Sequence, residues 1–394
     1  MIHGIMHRRS FLHAALTATA AGAAGAVAAQ APRYGAQPAA PPNFPPPDAR
    51  SVWLVGDSAP PDPAAFAARL GALVQAHVPA HGTVRDSYLA DGAVAELEAA
   101  AAALLGKEDA AFFPTGTLAN NVAVRLLCVE HRHALVQHES HLYRDESDTA
   151  ARLGGITLVP LAAGRAAPTV DEVAAAVDEA EKGPYPLKVG AISIESPVRR
   201  AGGTLVPVPT VAAIAALARA HGTGLHLDAA RLLLGPPTLD VKAYAAPFDT
   251  VYVSLYKYLD APFGAVLAGT KAHVAQAREL RHVYGGLIYQ GWAPALVALD
   301  SLKTFSARIA RAHGEAERLI AALEASGKVR RRPNADASNI HELEMSEALA
   351  AAAFERGRAA GVRVGRWNAG VVPLYVNETI TRRPVEEYAR LFLG

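Results

Sequence analysis

From about residue 104 to residue 268, short apolar runs alternate with stretches of helical periodicity. That alternation restricts the fold more than any other property of the chain. Residues 110–113, 134–137, 156–159, 189–194, 224–228, 250–254 and 264–268 read as strands, mostly unbroken apolar runs. Helical patterns fill about 118–130, 145–153, 170–180 and 210–220. A strand that is apolar throughout is buried on both faces, and a helix between successive strands makes their connection a parallel crossover. The expectation is an α/β chain with a mostly parallel, doubly wound sheet in a large domain. A helix of about 292–325 and a smaller α/β unit at 305–394 close the chain, the latter with strand-like 361–364 and 371–376.

The amino-terminal residues read differently. Arg8-Arg9-Ser10-Phe11-Leu12 is a twin-arginine pattern ahead of an alanine-rich stretch, with small residues at 26–29. Residues 1–30 are therefore expected to be an export signal to the periplasm, cleaved near 28–31. Residues 31–50, with Pro41-Pro42 and Pro45-Pro46-Pro47, read as an extended linker. The folded part then divides into 51–304 and 305–394. A formal net charge of +1 calls for neither nucleic acid nor an anionic membrane surface. The single cysteine, Cys128, rules out an intramolecular disulfide and reads as a small buried hydrophobe. No metal site is read from the sequence.

The chemistry is expected where such a sheet binds ligands, just past the carboxyl ends of its strands. Asp228 ends the run Gly224-Leu225-His226-Leu227-Asp228, and Lys257 follows the next run in Ser254-Leu255-Tyr256-Lys257. An acid and an amine delivered to one sheet edge suit pyridoxal 5′-phosphate. The lysine forms the Schiff base, and the carboxylate keeps the pyridine nitrogen protonated. Pro114-Thr115-Gly116-Thr117-Leu118 lies between a strand and a helix. Gly116 permits close backbone approach, and the N–H groups of Thr117 and Leu118 are expected to hold the phosphate. His141 follows the second strand and is placed to stack on the ring and exchange protons, with His138 a competitor nearer the strand. Glu195 reaches the same edge, and Arg199 or Arg200 after it offers a carboxylate site.

These pieces occur in an order that resembles the threonine aldolase branch of the β-eliminating lyases. Gly106-Lys107-Glu108-Asp109-Ala110, Pro114 to Asn120, His141, Arg200-Ala201-Gly202-Gly203, His226 to Arg231 and Ser254 to Lys257 with Ala261-Pro262-Phe263-Gly264 carry the likeness. It runs from about Gly56 to about Gln290. The resemblance implies a fold-type I pyridoxal phosphate enzyme that works as a homodimer or homotetramer on a small amino acid. It implies Lys257 as the cofactor-linked lysine, Asp228 on the pyridine nitrogen and His141 on the ring face. Thr115, Gly116 and Thr117 fall to the phosphate, and Glu195 to the cofactor site. Arg231 falls to cofactor or substrate carboxylate, Ser58 to that carboxylate, and Tyr88 to a site shared across subunits.

The implied reaction is aldol-type cleavage of a β-hydroxy-α-amino acid to glycine and an aldehyde. β-Elimination, racemisation, transamination and cofactor binding without catalysis stay open, because three family features are replaced. Ser196-Pro197-Val198-Arg199 stands for an Asn-Thr-His-Asn stretch. Gly285 to Gln290 lacks an Arg-Gln pair, and a carboxylate-binding arginine is replaced near Pro373. Arg199, Arg363 and Arg366 are candidates to substitute for it.

Overall fold

A computed structural model of the protein describes residues 47–394. Residues 1–30, expected to be an export signal, and most of the expected proline-rich linker lie outside the described residues. Twelve strands follow in chain order: β1 Val52–Trp53, β2 Asp109–Phe113, β3 His133–Gln137, β4 Thr157–Leu161, β5 Val189–Glu195, β6 Gly224–Asp228, β7 Thr250–Ser254, β8 Ala265–Gly269, β9 Arg330–Arg331, β10 Ile340–Glu344, β11 Val362–Arg363 and β12 Val371–Tyr375.

Seven of them form the central sheet, in the order β2-β8-β7-β6-β5-β3-β4. The pairs β3·β4, β3·β5, β5·β6 and β6·β7 are parallel. β8 runs against both neighbours. Every residue of β5, β7 and β8 is buried, which explains their unbroken apolar sequences. The chain reverses its direction of travel across the sheet between β3 and β5. A crevice opens at such a switch point past the strand carboxyl ends, and His141, Glu195 and Asp228 are all delivered there.

Two departures from the sequence expectation bear on the site. The helix expected over 145–153 is broken into His141–Arg144 and Thr149–Gly154, with Ser147 between them at φ +55°. The break turns Glu146 into the core, where it is 3% exposed. The last helix of the large unit runs unbroken as Trp292–Ala325, across residue 304. In the carboxyl-terminal region, β12, β10 and β9 form an antiparallel sheet. β1 pairs in parallel with β11, and Tyr375 donates its N–H to the Leu54 carbonyl at 3.2 Å. The segment just after the linker is thus stitched to the carboxyl-terminal unit and brings Asp57 and Ser58 with it.

Candidate active site

β6 and β7 are parallel neighbours, with Asp228 in register with Tyr252, so Asp228 and the lysine after β7 emerge on the same edge. Asp228 is 3% exposed. Its carboxylate accepts the Ala230 N–H at 3.0 Å and the Asn120 side-chain N–H at 2.8 Å. Asn120 is one helical turn beyond Gly116 and serves three partners at once. Its amide also donates to Glu146 Oε1 at 2.9 Å, and its oxygen lies 3.1 Å from His226 Nε2. Burial pushes His226 down to about 4, so it is neutral. Thr250 Oγ1 lies 2.9 Å from its Nδ1. The two carboxylates take the Asn120 N–H edge, so its oxygen faces His226 and accepts from Nε2 of the neutral imidazole.

Lys257 lines an open cleft of about 350 Å³ with Pro114, Gly116, Thr117, His141 and Tyr256. Burial, and then the nearby Arg231 cation, push its amine down to about 8. Among the described residues no acceptor is bonded to its Nζ. At the other end of the cleft the helix Gly116–Leu127 begins, capped by Thr115 Oγ1, which accepts the Leu118 N–H at 3.2 Å. That corrects the sequence expectation for the phosphate end. Leu118 is consumed by the cap, and among the described residues the N–H groups left without an acceptor are those of Gly116 and Thr117. Gly116 is required by packing, because a Cβ there would lie 2.0 Å from Tyr252 Oη.

His141 forms the wall between these ends. Its Nδ1 lies 2.8 Å from Glu146 Oε1. Burial works against the imidazolium, but the Glu146 carboxylate outweighs it and raises His141 above its ordinary value. Burial raises Glu146 in turn. His138 is spent on Glu139 at 2.8 Å and does not line the cleft.

Other expected residues sit elsewhere. The Glu195 carboxylate accepts the backbone N–H groups of His141 at 2.5 Å and Arg199 at 3.0 Å. It positions two loops and does not line the cleft. Asp145 holds Arg200 through two guanidinium N–H groups and Arg199 through its Nη2 alone, and neither lines the cleft. The Arg231 Nε donates to both Asp57 oxygens, at 2.9 and 3.1 Å, and Asp57 uses only that edge of the guanidinium. Ser58 lines a neighbouring cavity with Asp57 and Tyr258. Tyr88 is 57% exposed, edge-on to Tyr289 at 5.3 Å. Arg363 lies over the Trp53 ring at 5.1 Å, and Arg366 is exposed.

Asn120, Glu146, His226 and Asp57 were given no role by sequence reasoning. For His226 a signal existed, since a residue two before Asp228 shares its face of the strand. The same holds for Asn120, one turn into the helix that starts at Gly116. Glu146 and Asp57 depend on a helix break and on a long-range stitch, which leave no local pattern.

The residues present fit pyridoxal 5′-phosphate. An amine without an acceptor and two unpaired N–H groups at a helix start line one cleft, and a buried carboxylate is anchored behind it on the neighbouring strand. Comparison with known proteins agrees. The family model described as beta-eliminating lyase matches residues 72–348. A probable low-specificity L-threonine aldolase of Arabidopsis thaliana is 29% identical over 280 residues, 68% of this chain and 77% of that protein. A protein of Cochliobolus carbonum named an alanine racemase is 31% identical over 226 residues, 55% of this chain and 56% of that one. The crystal structure of a putative L-allo-threonine aldolase from Listeria monocytogenes superposes with a TM-score of 0.71 at 25% identity, over 87% of this chain and 96% of the other.

Proposed function

The chain belongs to the beta-eliminating lyase family and is a pyridoxal phosphate-dependent lyase of fold type I; from that premise we propose that it cleaves a β-hydroxy-α-amino acid to glycine and an aldehyde. The observation that carries the proposal is the meeting of Lys257, His141 and the Gly116 helix start around one cleft, with Asp228 anchored behind it. The similarity to a protein named a threonine aldolase supports it.

When bound, the cofactor supplies an electron sink beside the substrate α-carbon. The chain's residues do the rest. Asp228, fixed by Asn120 and the Ala230 N–H, holds a proton on the ring nitrogen. Lys257 would link the cofactor, and the lowered pKa of its free amine leaves a useful fraction neutral near pH 8 to do so. The unpaired N–H groups of Gly116 and Thr117 hold the phosphate. Glu146 occupies Nδ1 of His141, so Nε2 is the atom that takes the β-hydroxyl proton. The Arg231 edge not taken by Asp57 is the anchor for the substrate carboxylate.

Purified protein is expected to be yellow, with a visible band that borohydride abolishes and that Lys257→Ala lacks. The loaded enzyme, given threonine and its relatives, is expected to yield glycine and aldehyde. Ammonia and a keto acid would replace this reading with elimination. The second reading is racemisation, favoured by the similarity to a protein named an alanine racemase. Appearance of the mirror-image amino acid without glycine would establish it.

The chain is also proposed to reach the periplasm through the twin-arginine route, on the strength of Arg8-Arg9. Replacing both with lysine is expected to hold the precursor in the cytoplasm, and unchanged secretion would refute this. A homodimer or homotetramer is proposed from the exposed Tyr88 and Tyr289 pair, which a second copy would cover. Sedimentation of a single chain would refute it.

A further inference from the structure

Far from the Lys257 cleft in sequence, the helix Pro63–His81 ends with two histidines four positions apart. That spacing sets both rings on one face of the helix. Glu96, on the helix Gly92–Leu105, lies between them. Glu96 Oε1 is 3.1 Å from His77 Nε2, and Oε2 is 3.6 Å from His81 Nδ1. The rings are stacked, with centroids 4.7 Å apart and planes at 20°. The three donor atoms all lie within 4.8 Å of one another.

Two observations go beyond a cluster of surface groups. His77 is only 9% exposed, and its Nε2 is buried and makes no hydrogen bond, since the geometry to the nearby carboxylate is wrong for one. A buried ring nitrogen left without a hydrogen bond costs stability, which a bound ion would recover. The same three side chains also line a cleft of about 300 Å³ with Leu296, Asp300 and Lys303 of the long helix. Water therefore has room at any coordination position the protein leaves open.

We propose that His77, His81 and Glu96 form a binding site for a first-row divalent metal ion of the zinc class. Two imidazole nitrogens and one carboxylate oxygen suit zinc, cobalt, nickel or copper, whereas calcium and magnesium prefer all-oxygen sets. Bonds of about 2.1 Å in tetrahedral geometry put neighbouring donors about 3.4 Å apart. The present spacing closes to that by side-chain rotation, which His81 is free to make because its side chain is 54% exposed. His81 lies in the last helical turn, where the partial negative charge of the carbonyls favours a cation. The bound ion would clip the Pro63–His81 helix to the Gly92–Leu105 helix and remove the cost of the unbonded His77 nitrogen.

The test uses cofactor-loaded protein stripped with a chelator and titrated with Zn²⁺ by calorimetry, beside a His81→Ala/Glu96→Gln double variant. The chain has 15 histidines, so the double variant subtracts binding elsewhere. Both replaced residues are at least partly exposed, and an unchanged cofactor absorbance band verifies that the variant is folded. The expected result is one zinc per chain in excess of the variant, with affinity at that site lost by a factor of at least about 10. Zinc is expected to raise the thermal midpoint of the wild type alone. Substituting Co²⁺ should give visible bands, absent in the variant, and excess Mg²⁺ should not displace the metal. Equal stoichiometry and affinity in the two proteins, or effective competition by Mg²⁺, would overturn the proposal.

Discussion

Gly116→Ala tests the phosphate end of the site without touching a polar side chain. The new Cβ would sit 2.0 Å from Tyr252 Oη and 2.6 Å from its Cζ. Reaching even 3.0 Å requires the ring or the helix to retreat by about 1 Å. Tyr252 has little freedom to do so. It is 2% exposed, and its strand is paired with β6 on one side and β8 on the other. Overpacking of this kind costs about 1–3 kcal/mol, and a ring pinned in a central strand puts the cost near 3 kcal/mol. Moving the helix instead displaces the Gly116 and Thr117 N–H groups by a similar distance. Losing one charge-assisted hydrogen bond to the phosphate is worth about 1.5–3 kcal/mol, roughly 10- to 100-fold in cofactor affinity. Urea unfolding of the cofactor-free protein and an absorbance titration with cofactor measure the two effects. Tyr252→Phe in the Gly116→Ala background removes the closer of the two clashing atoms and should restore about 1 kcal/mol. A Gly116→Ala protein as stable as wild type and equally tight for cofactor would refute the reasoning, as would a second substitution that recovers nothing.

Three further outcomes follow from the same geometry. Glu146→Gln removes the carboxylate that holds the His141 proton, so burial then dominates and the His141 titration should move to lower pH; an unmoved NMR midpoint would show that Glu146 is not the cause. Asn120→Ala strips a buried hydrogen-bond partner from Asp228 and from His226, which should cost about 2–4 kcal/mol in urea unfolding and weaken cofactor binding, whereas a loss under about 0.5 kcal/mol would contradict the network. Lys257 has its pKa lowered to about 8. Between that pH and the unfolded value of about 10.4, the unfolded chain holds a proton that the folded chain has released, so stability from this group rises with pH across the window, by up to about 3 kcal/mol. Comparing cofactor-free wild type with Lys257→Met near pH 7 and pH 10 should show the wild type gaining, and a constant difference would exclude the shift.

The strands were legible in the sequence because each buried strand is a local run of apolar residues. Six of the seven strands of the central sheet begin and end within a residue of the sequence reading, and β4, read at 156–159, runs two residues further, to Leu161. Lys257, Asp228, His141 and Gly116 were legible for a related reason: strand ends in a parallel sheet share an edge, so position along the strand predicts proximity. Glu195 shows the limit of that logic. It reaches the same edge, yet its carboxylate is taken by two backbone N–H groups and does not line the cleft. Arg199 is likewise drawn aside, its Nη2 bonded to Asp145 in a contact that no local pattern predicts.

What the sequence alone determined is the order of strands and helices, and with it the edge where acid, amine and imidazole gather. Hydrophobic periodicity and turn residues act over a few positions, so a linear reading captures them. Tertiary structure decided which polar groups bond to which. Asn120 bonds Asp228, Glu146 and His226 only because a helix, a break at Ser147 and two strands converge. Asp57 reaches Arg231 only because β1 pairs with β11. Electrostatic partners are set by distances of about 3 Å in space, whatever the separation along the chain. The protonation states of Lys257 and His141, and the edge of Arg231 that Asp57 leaves open, therefore exist only in the folded chain.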